Sequence, residues 1–323
     1  MTPPRFIIPG AVVMVTMRCT HRLFRLTPSR HVNLILEYLL AYTAAKYQVG
    51  LVSLVVMANH VHAIMVDHDG RLPDMLQTLN SLTARALNQV RGHRGSVFER
   101  NNVHIKYLED EDAIFIALAY IAANPVAAGC VERGAEYPGL RTKPKDIGRA
   151  GKLIERPTCL FGGHANYRGK LPRFVLLRYE LPPSFKPGDR GWFVNVAETA
   201  VHLAEDRARK RNAARGVTYL GRARCWDADP NLKGATPERR GLGSGPDPIL
   251  ATSDYAREQA RLRLLTFFSL YDESKLEWQH GDHEIEFPWG TWLVVARHAA
   301  RRAPNPLAPD SASASPPFPL FTA

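Results

Sequence analysis

Between residues 12 and 145 the hydrophobic and polar positions fall into short, readable periods. Val12–Arg18 is rich in β-branched residues and alternates into Thr16 and Arg18, the pattern of a strand. Ser29 stands as an N-cap before Val32, Leu36, Leu39, Leu40 and Ala44, whose spacing predicts a helix over Arg30–Tyr47. Leu51–Met57 and Val61–Val66 are apolar runs separated by Ala58, Asn59 and His60, and predict neighbouring strands or one hairpin. Pro73 opens a second helical face, through Met75, Leu76, Leu79, Leu82, Ala86 and Leu87, that runs to Val90. Val103–Leu108 reads as a fourth strand. Asp110–Asp112 then supplies negative charge to the positive end of a helix expected over Ala113–Ala123 and ended by Pro125.

The order is strand, helix, strand, strand, helix, strand, helix. Its first six elements match an α+β, ferredoxin-like split βαβ arrangement, an antiparallel sheet backed by two helices. The terminal helix is left to lie against the sheet and present side chains to it. Beyond residue 145 the periods break up. Asp146–Arg168, rich in Gly, Arg and Lys, predicts loops, and Trp192–Arg215 a helix with a basic far end. Gly221–Pro248 is dense in Gly, Pro and charge and predicts a long loop. Helical spacing resumes over Ser253–Tyr271, and Ile285–Ala296 predicts a short strand pair. The expected division is a catalytic domain at 1–145, a mixed accessory extension at 146–300 that contacts DNA, and a disordered tail at 301–323 rich in Pro, Ala and Ser.

Composition narrows the class of partner. The chain has 323 residues, 45% of them hydrophobic, enough for one large domain or two ordinary ones. Its 42 Lys and Arg against 31 Asp and Glu give a net charge of +11, which attracts polyanions, nucleic acid foremost; a merely basic surface remains open on charge alone. Cys19, Cys130, Cys159 and Cys225 show no C-x-x-C spacing, against a disulfide scaffold or a cysteine zinc site. Leu51–Met57 is too short to span a bilayer, the first residues carry no signal pattern, and the cytoplasm is the expected compartment.

Two constellations carry chemistry. In Met57-Ala58-Asn59-His60-Val61-His62, the two histidines lie two apart on a strand and project to one side, where two imidazoles can hold a divalent ion. Such a pair also arises without any metal, as packed histidines with polar partners. Tyr120 and Asn124 lie one helical turn apart and share a face, joining a potential nucleophile to a carboxamide oxygen that can ligate. Taken alone, they read equally as a half-buried helix tyrosine and a helix-end residue before proline. Arg18 and Arg22 after the first strand, and Arg85, Arg91, Arg94 and Arg100 around the second helix, are candidate DNA contacts or ordinary solvated side chains. Arg207–Arg215 has the same two readings, and His93 and His104 are weak candidates for a general base.

Over residues 5–140 the chain resembles the single-tyrosine HUH transposases, in the REP-associated tyrosine transposase branch. The landmarks run in order: Pro9-Gly10, Val15-Thr16-x-Arg18, Met57-x-Asn59-His60-x-His62, Leu79-Asn80, Phe98 after Gly95, and Tyr120-Ile121-x-x-Asn124-Pro125-Val126-x-Ala128-Gly129-x-Val131. The resemblance implies a ferredoxin-like fold, Mg²⁺ or Mn²⁺ on His60 and His62 with Asn124 as third ligand, and Tyr120 as nucleophile. It implies cleavage and rejoining of single-stranded, hairpin-associated DNA through a 5′-phosphotyrosine, in a monomer or a homodimer. Ala58 departs from the proline usual in relatives, Glu99–Tyr107 lacks their Gly-Arg-aromatic run, and the extension is longer than in compact members. Two alternatives stand beside it: a hairpin-DNA binder whose catalysis has lapsed, and a relaxase-like or replication-initiator-like nickase. The latter often carries a nucleotide-driven module, and no G-x-x-x-x-G-K-[ST] occurs here.

Overall fold

The computed structural model describes residues 4–163, 171–234 and 247–305. It divides into two compact units, residues 9–260 and a smaller one made from the chain before residue 9 and after residue 260. The large unit is mixed α+β, built on a mostly antiparallel sheet. Its strands are β1 (Ala11–Cys19), β2 (Val49–Met57), β3 (His60–Asp67), β4 (Phe98–Leu108) and the two-residue β7 (Ile249–Leu250), in the order β2-β3-β1-β4-β7. All neighbours are antiparallel except β4 and β7.

Local chemistry fixes the helices between them. Helix α1 (Arg30–Tyr47) starts where Ser29 Oγ accepts the Val32 N–H at 3.2 Å, as the sequence predicted. Helix α2 (Leu72–Arg91) has Pro73 in its first turn and ends on Gly92, whose φ of 66° suits a residue without a Cβ. Helix α3 (Glu111–Ala127) is capped by Asp110, which accepts the Ala113 N–H at 2.8 Å. It does not stop before Pro125 as expected. The proline falls in the last turn, where it removes one donor from the ladder without ending the helix, and left-handed Gly129 closes it.

Asp67, at the end of β3, is buried and starts α2 by accepting the N–H groups of Arg71 (2.7 Å) and Leu72 (3.0 Å). Burial pushes its carboxyl up to about 6, against the pull of those two donors. An unfolded aspartate titrates near ~3.9, so between these values the native state holds the extra proton and stability rises as pH falls. Asp67→Asn keeps an accepting oxygen but removes the titration. In thermal melts, wild type should gain up to about 3 kcal/mol over this variant between about pH 7 and about pH 4. A difference that ignores pH would contradict the assignment.

The sheet buries both faces. One carries Val13, Val15, Met17, Val61, Ala63 and Met65, all at 2% exposure or less, and α1 packs on α2 and β2. The opposite face, through Val55, Met57, Ile64 and Val66, receives Ile114, Ala117, Leu118 and Ile121 of α3. Helix α3 is apolar nearly all round, so a second layer covers its back. That layer is α4 (Arg190–Ala214), which runs along α3 from Phe193, whose ring lies 5.1 Å from that of Phe115, to Asn212, whose Nδ2 donates to the Val126 carbonyl at 2.7 Å. Short helix α5 (Arg222–Trp226) closes the end of α3, with Cys225 Sγ 3.4 Å from the Cys130 carbonyl.

The boundary expected at 145 therefore falls inside one compact unit. The outer edge of β2 is also finished by later chain: Val56 N–H donates to Leu140 O at 2.8 Å, and Glu180 N–H to Leu51 O at 2.8 Å. The expected loops at 146–168 contain β5 (Lys152–Glu155), paired with β6 (Phe174–Leu177). The small unit holds most of α6 (Asp254–Gln279). The strand pair expected at 285–296 is instead β8 (Glu286–Phe287) against β9 (Arg301–Arg302), with α7 (Leu293–His298) between. The tail expected to be disordered lies outside the described residues from 306 onward. No helix among the described residues is long and apolar enough to cross a membrane.

Candidate active site

Sheet register assembles the site. Strand β1 pairs Thr16 with His62 and Arg18 with His60, so these four side chains share the face on which α3 lies. The two-residue turn Ala58–Asn59 joins β2 to β3 and sets His60 at the start of its strand. His60 and His62 stand with ring centroids 4.7 Å apart. Above them Tyr120, half-exposed at 50%, places its ring 5.2 Å from that of His62, edge to face. One turn further along α3, the Asn124 carboxamide is near enough to the His60 ring to favour its protonated form. All four predicted residues thus converge on one place.

The structure adds two partners that sequence did not assign. Asn59 Oδ1 lies 2.7 Å from His60 Nδ1, and Thr16 Oγ1 lies 2.8 Å from His62 Nδ1. An amide oxygen only accepts, so His60 Nδ1 carries the hydrogen and Nε2 keeps a lone pair. Thr16 can hold His62 in the same tautomer. Burial pushes His60 down to about 4, the charge of Arg18 adding and the nearby Asn124 opposing. Burial drives His62 well below the ordinary imidazole range, helped by His60 and Arg18. Both rings are therefore neutral near pH 7, the state in which imidazole ligates a metal.

No third imidazole, thiol or carboxylate joins the pair among the described residues. The donor set is two neutral imidazoles anchored through Nδ1 and one carboxamide, a set that fits a divalent ion and contributes no negative charge of its own.

The candidate phosphate contacts separate into two kinds. Arg18 is exposed beside the histidines, and Arg94 and Arg100 are exposed around the start of β4. Arg85 is exposed but folds back on its helix, its Nε 3.3 Å from Ser81 O. Arg91 is committed to structure: its guanidinium donates to the carbonyls of Arg25 and, at 3.0 Å, Thr27. Arg22 sits in a left-handed backbone position, φ 59°, in the loop after β1. His104 lies on β4 opposite Thr16, at the margin of the site, and His93 follows the end of α2.

No family model matches the chain, and no curated protein matches it. Among solved structures it is similar to one described as the structure of a REP-associated tyrosine transposase bound to a REP hairpin. That likeness has a TM-score of 0.38 and 17% identity, and covers 45% of this chain and 84% of the other. Chemistry must accordingly be read from this chain's own side chains.

Proposed function

We propose that the protein cleaves and rejoins single-stranded, hairpin-associated DNA, with Tyr120 as nucleophile and a divalent metal, Mg²⁺ or Mn²⁺, held by His60, His62 and Asn124. The observation that carries this is the half-exposed Tyr120 phenol set over a neutral, Nδ1-anchored histidine pair. The strand order β2-β3-β1-β4 supports reading the core as ferredoxin-like, with α3 added on the face that bears the site.

When bound, the metal supplies charge withdrawal from a non-bridging phosphate oxygen and orients the phosphate. The protein's own groups do the rest. Helix α3, packed on both sides, keeps Tyr120 beside the histidines, and from there its oxygen would attack phosphorus in line. The Tyr120 O–P bond forms, the P–O3′ bond breaks, the phenol proton leaves to solvent, and the departing 3′-oxygen takes up a proton. The products are a 5′-phosphotyrosine and a free 3′-hydroxyl. Because the new phosphodiester retains its bond energy, another 3′-hydroxyl can reverse the step and join new ends. Arg18, exposed next to the histidines, is placed for the adjacent phosphate, and Arg94 and Arg100 for phosphates further along.

The test is a hairpin oligonucleotide incubated with the protein and metal, scored for a covalent adduct on denaturing gels and mapped by peptide mass. The adduct should fall on Tyr120 and disappear with EDTA and in His60→Ala and His62→Ala. Asn124→Ala should weaken metal affinity by about tenfold to a hundredfold. With two imidazoles and no carboxylate, Mn²⁺ should act at a concentration about tenfold lower than Mg²⁺. Full cleavage in EDTA would sink the metal-dependent reading.

A further inference from the structure

Residues 231–234 return, more than 200 positions after the first strand, to the loop that follows it. Phe24 N–H donates to Leu232 O at 2.9 Å, Gly234 N–H to Arg22 O at 3.0 Å, and Arg25 Nη1 to Asn231 Oδ1 at 2.9 Å. These bonds strap the extension to the left-handed His21-Arg22 turn, whose φ values are 54° and 59°. At the end of the strap, Gly234 lies against the amide of Asn59. A Cβ there would collide with Asn59 Nδ2, while only touching the Phe24 ring at 3.4 Å. The other end of that amide is the oxygen that holds His60 Nδ1 at 2.7 Å.

We infer that Gly234 is a positioning residue for the active site, acting through Asn59 to set the tautomer and orientation of His60. The extension then supplies the back wall of the amide that aims a proposed metal ligand. The inference rests on the metal reading above for its consequence, but not for the contact itself. A side chain at 234 meets a flexible amide rather than backbone, so the amide yields first and the fold survives. What is lost is the hydrogen bond that keeps the His60 lone pair on Nε2.

The experiment uses the full chain with ¹⁵N-labelled histidine, without metal, and reads the His60 tautomer by NMR, the signals assigned by their loss in His60→Gln. Wild type should show the Nδ1–H form, and Gly234→Ala a shift toward Nε2–H at nearly unchanged melting temperature. Titration with Mn²⁺ alone should show about tenfold weaker binding in Gly234→Ala. In an Asn59→Ala background the same substitution should change neither readout, because its route to His60 is gone. An unchanged tautomer in Gly234→Ala, or an equal effect in both backgrounds, overturns the inference. Should Gly234→Ala fail to fold, adding Asn59→Ala must restore folding by removing the collision; an unfolded double variant also overturns it. Wild type that binds no Mn²⁺ would defeat the metal reading, while the tautomer shift would still decide the Gly234 contact.

Discussion

Tyr120→Phe is expected to bind hairpin DNA like wild type and to form no covalent adduct. The substitution removes one oxygen and keeps the ring, so the edge contact to His62 at 5.2 Å and the packing of α3 survive. Loss of an essential nucleophile commonly lowers turnover by about 10⁴-fold to 10⁶-fold, far beyond what altered packing would do at a half-exposed position. Binding measured by gel shift at matched salt separates the two effects, since phosphate contacts and not the phenol dominate affinity. An adduct that persists on denaturing gels would move the nucleophile elsewhere. Tyr107 is a poor substitute, because it is buried on β4 at 8% exposure, and Tyr137 is buried at 4%.

The elements that could be read from sequence are those whose signal is local. Ser29 caps its helix where the pattern put it, Asp110 caps a helix that starts two residues before the expected Ala113, and the apolar periods of α1 and α2 end within a residue or so of the structure. His60 and His62 were visible because a strand has a period of two, and Tyr120 and Asn124 because a helical turn spans four residues. What sequence could not supply is register. Thr16 partners His62 only because β1 pairs with β3 at that offset, and nothing within Val12–Arg18 announces it. Arg91 looked like a phosphate contact until the chain at 25–27 came beside it. Gly234 sits in a stretch whose composition suggested only a loop, and its neighbour Asn59 is 175 positions away.

The same limit explains the domain boundary. The elements expected from the sequence close by residue 130, which points to a break near 145, but α3 has no polar back to show to water and the sheet takes a fifth strand from residues 249–250. A chain ending at Lys145 is therefore expected to be unfolded or aggregated, without the Tyr120 adduct at any DNA concentration. It would lose Phe185, Phe193 and Ala197 from the core that wraps α3, leaving Phe115 uncovered. It would also lose the Tyr179–Glu180 pairing at the β2 edge, leaving the Leu51 carbonyl without its 2.8 Å partner. Removing a buried phenylalanine costs about 3–5 kcal/mol, and a domain of this kind has only about 5–15 kcal/mol to lose. Two such losses, with the apolar back of α3 exposed as well, are comparable with the whole margin left to the sheet and its three remaining helices. A chain ending at Ala260 keeps the whole large unit and serves as the matched comparison. Circular dichroism and thermal melts of the two decide the matter: a cooperative melt from the shorter chain would show that α4 is accessory rather than part of the core on which the catalytic helix rests.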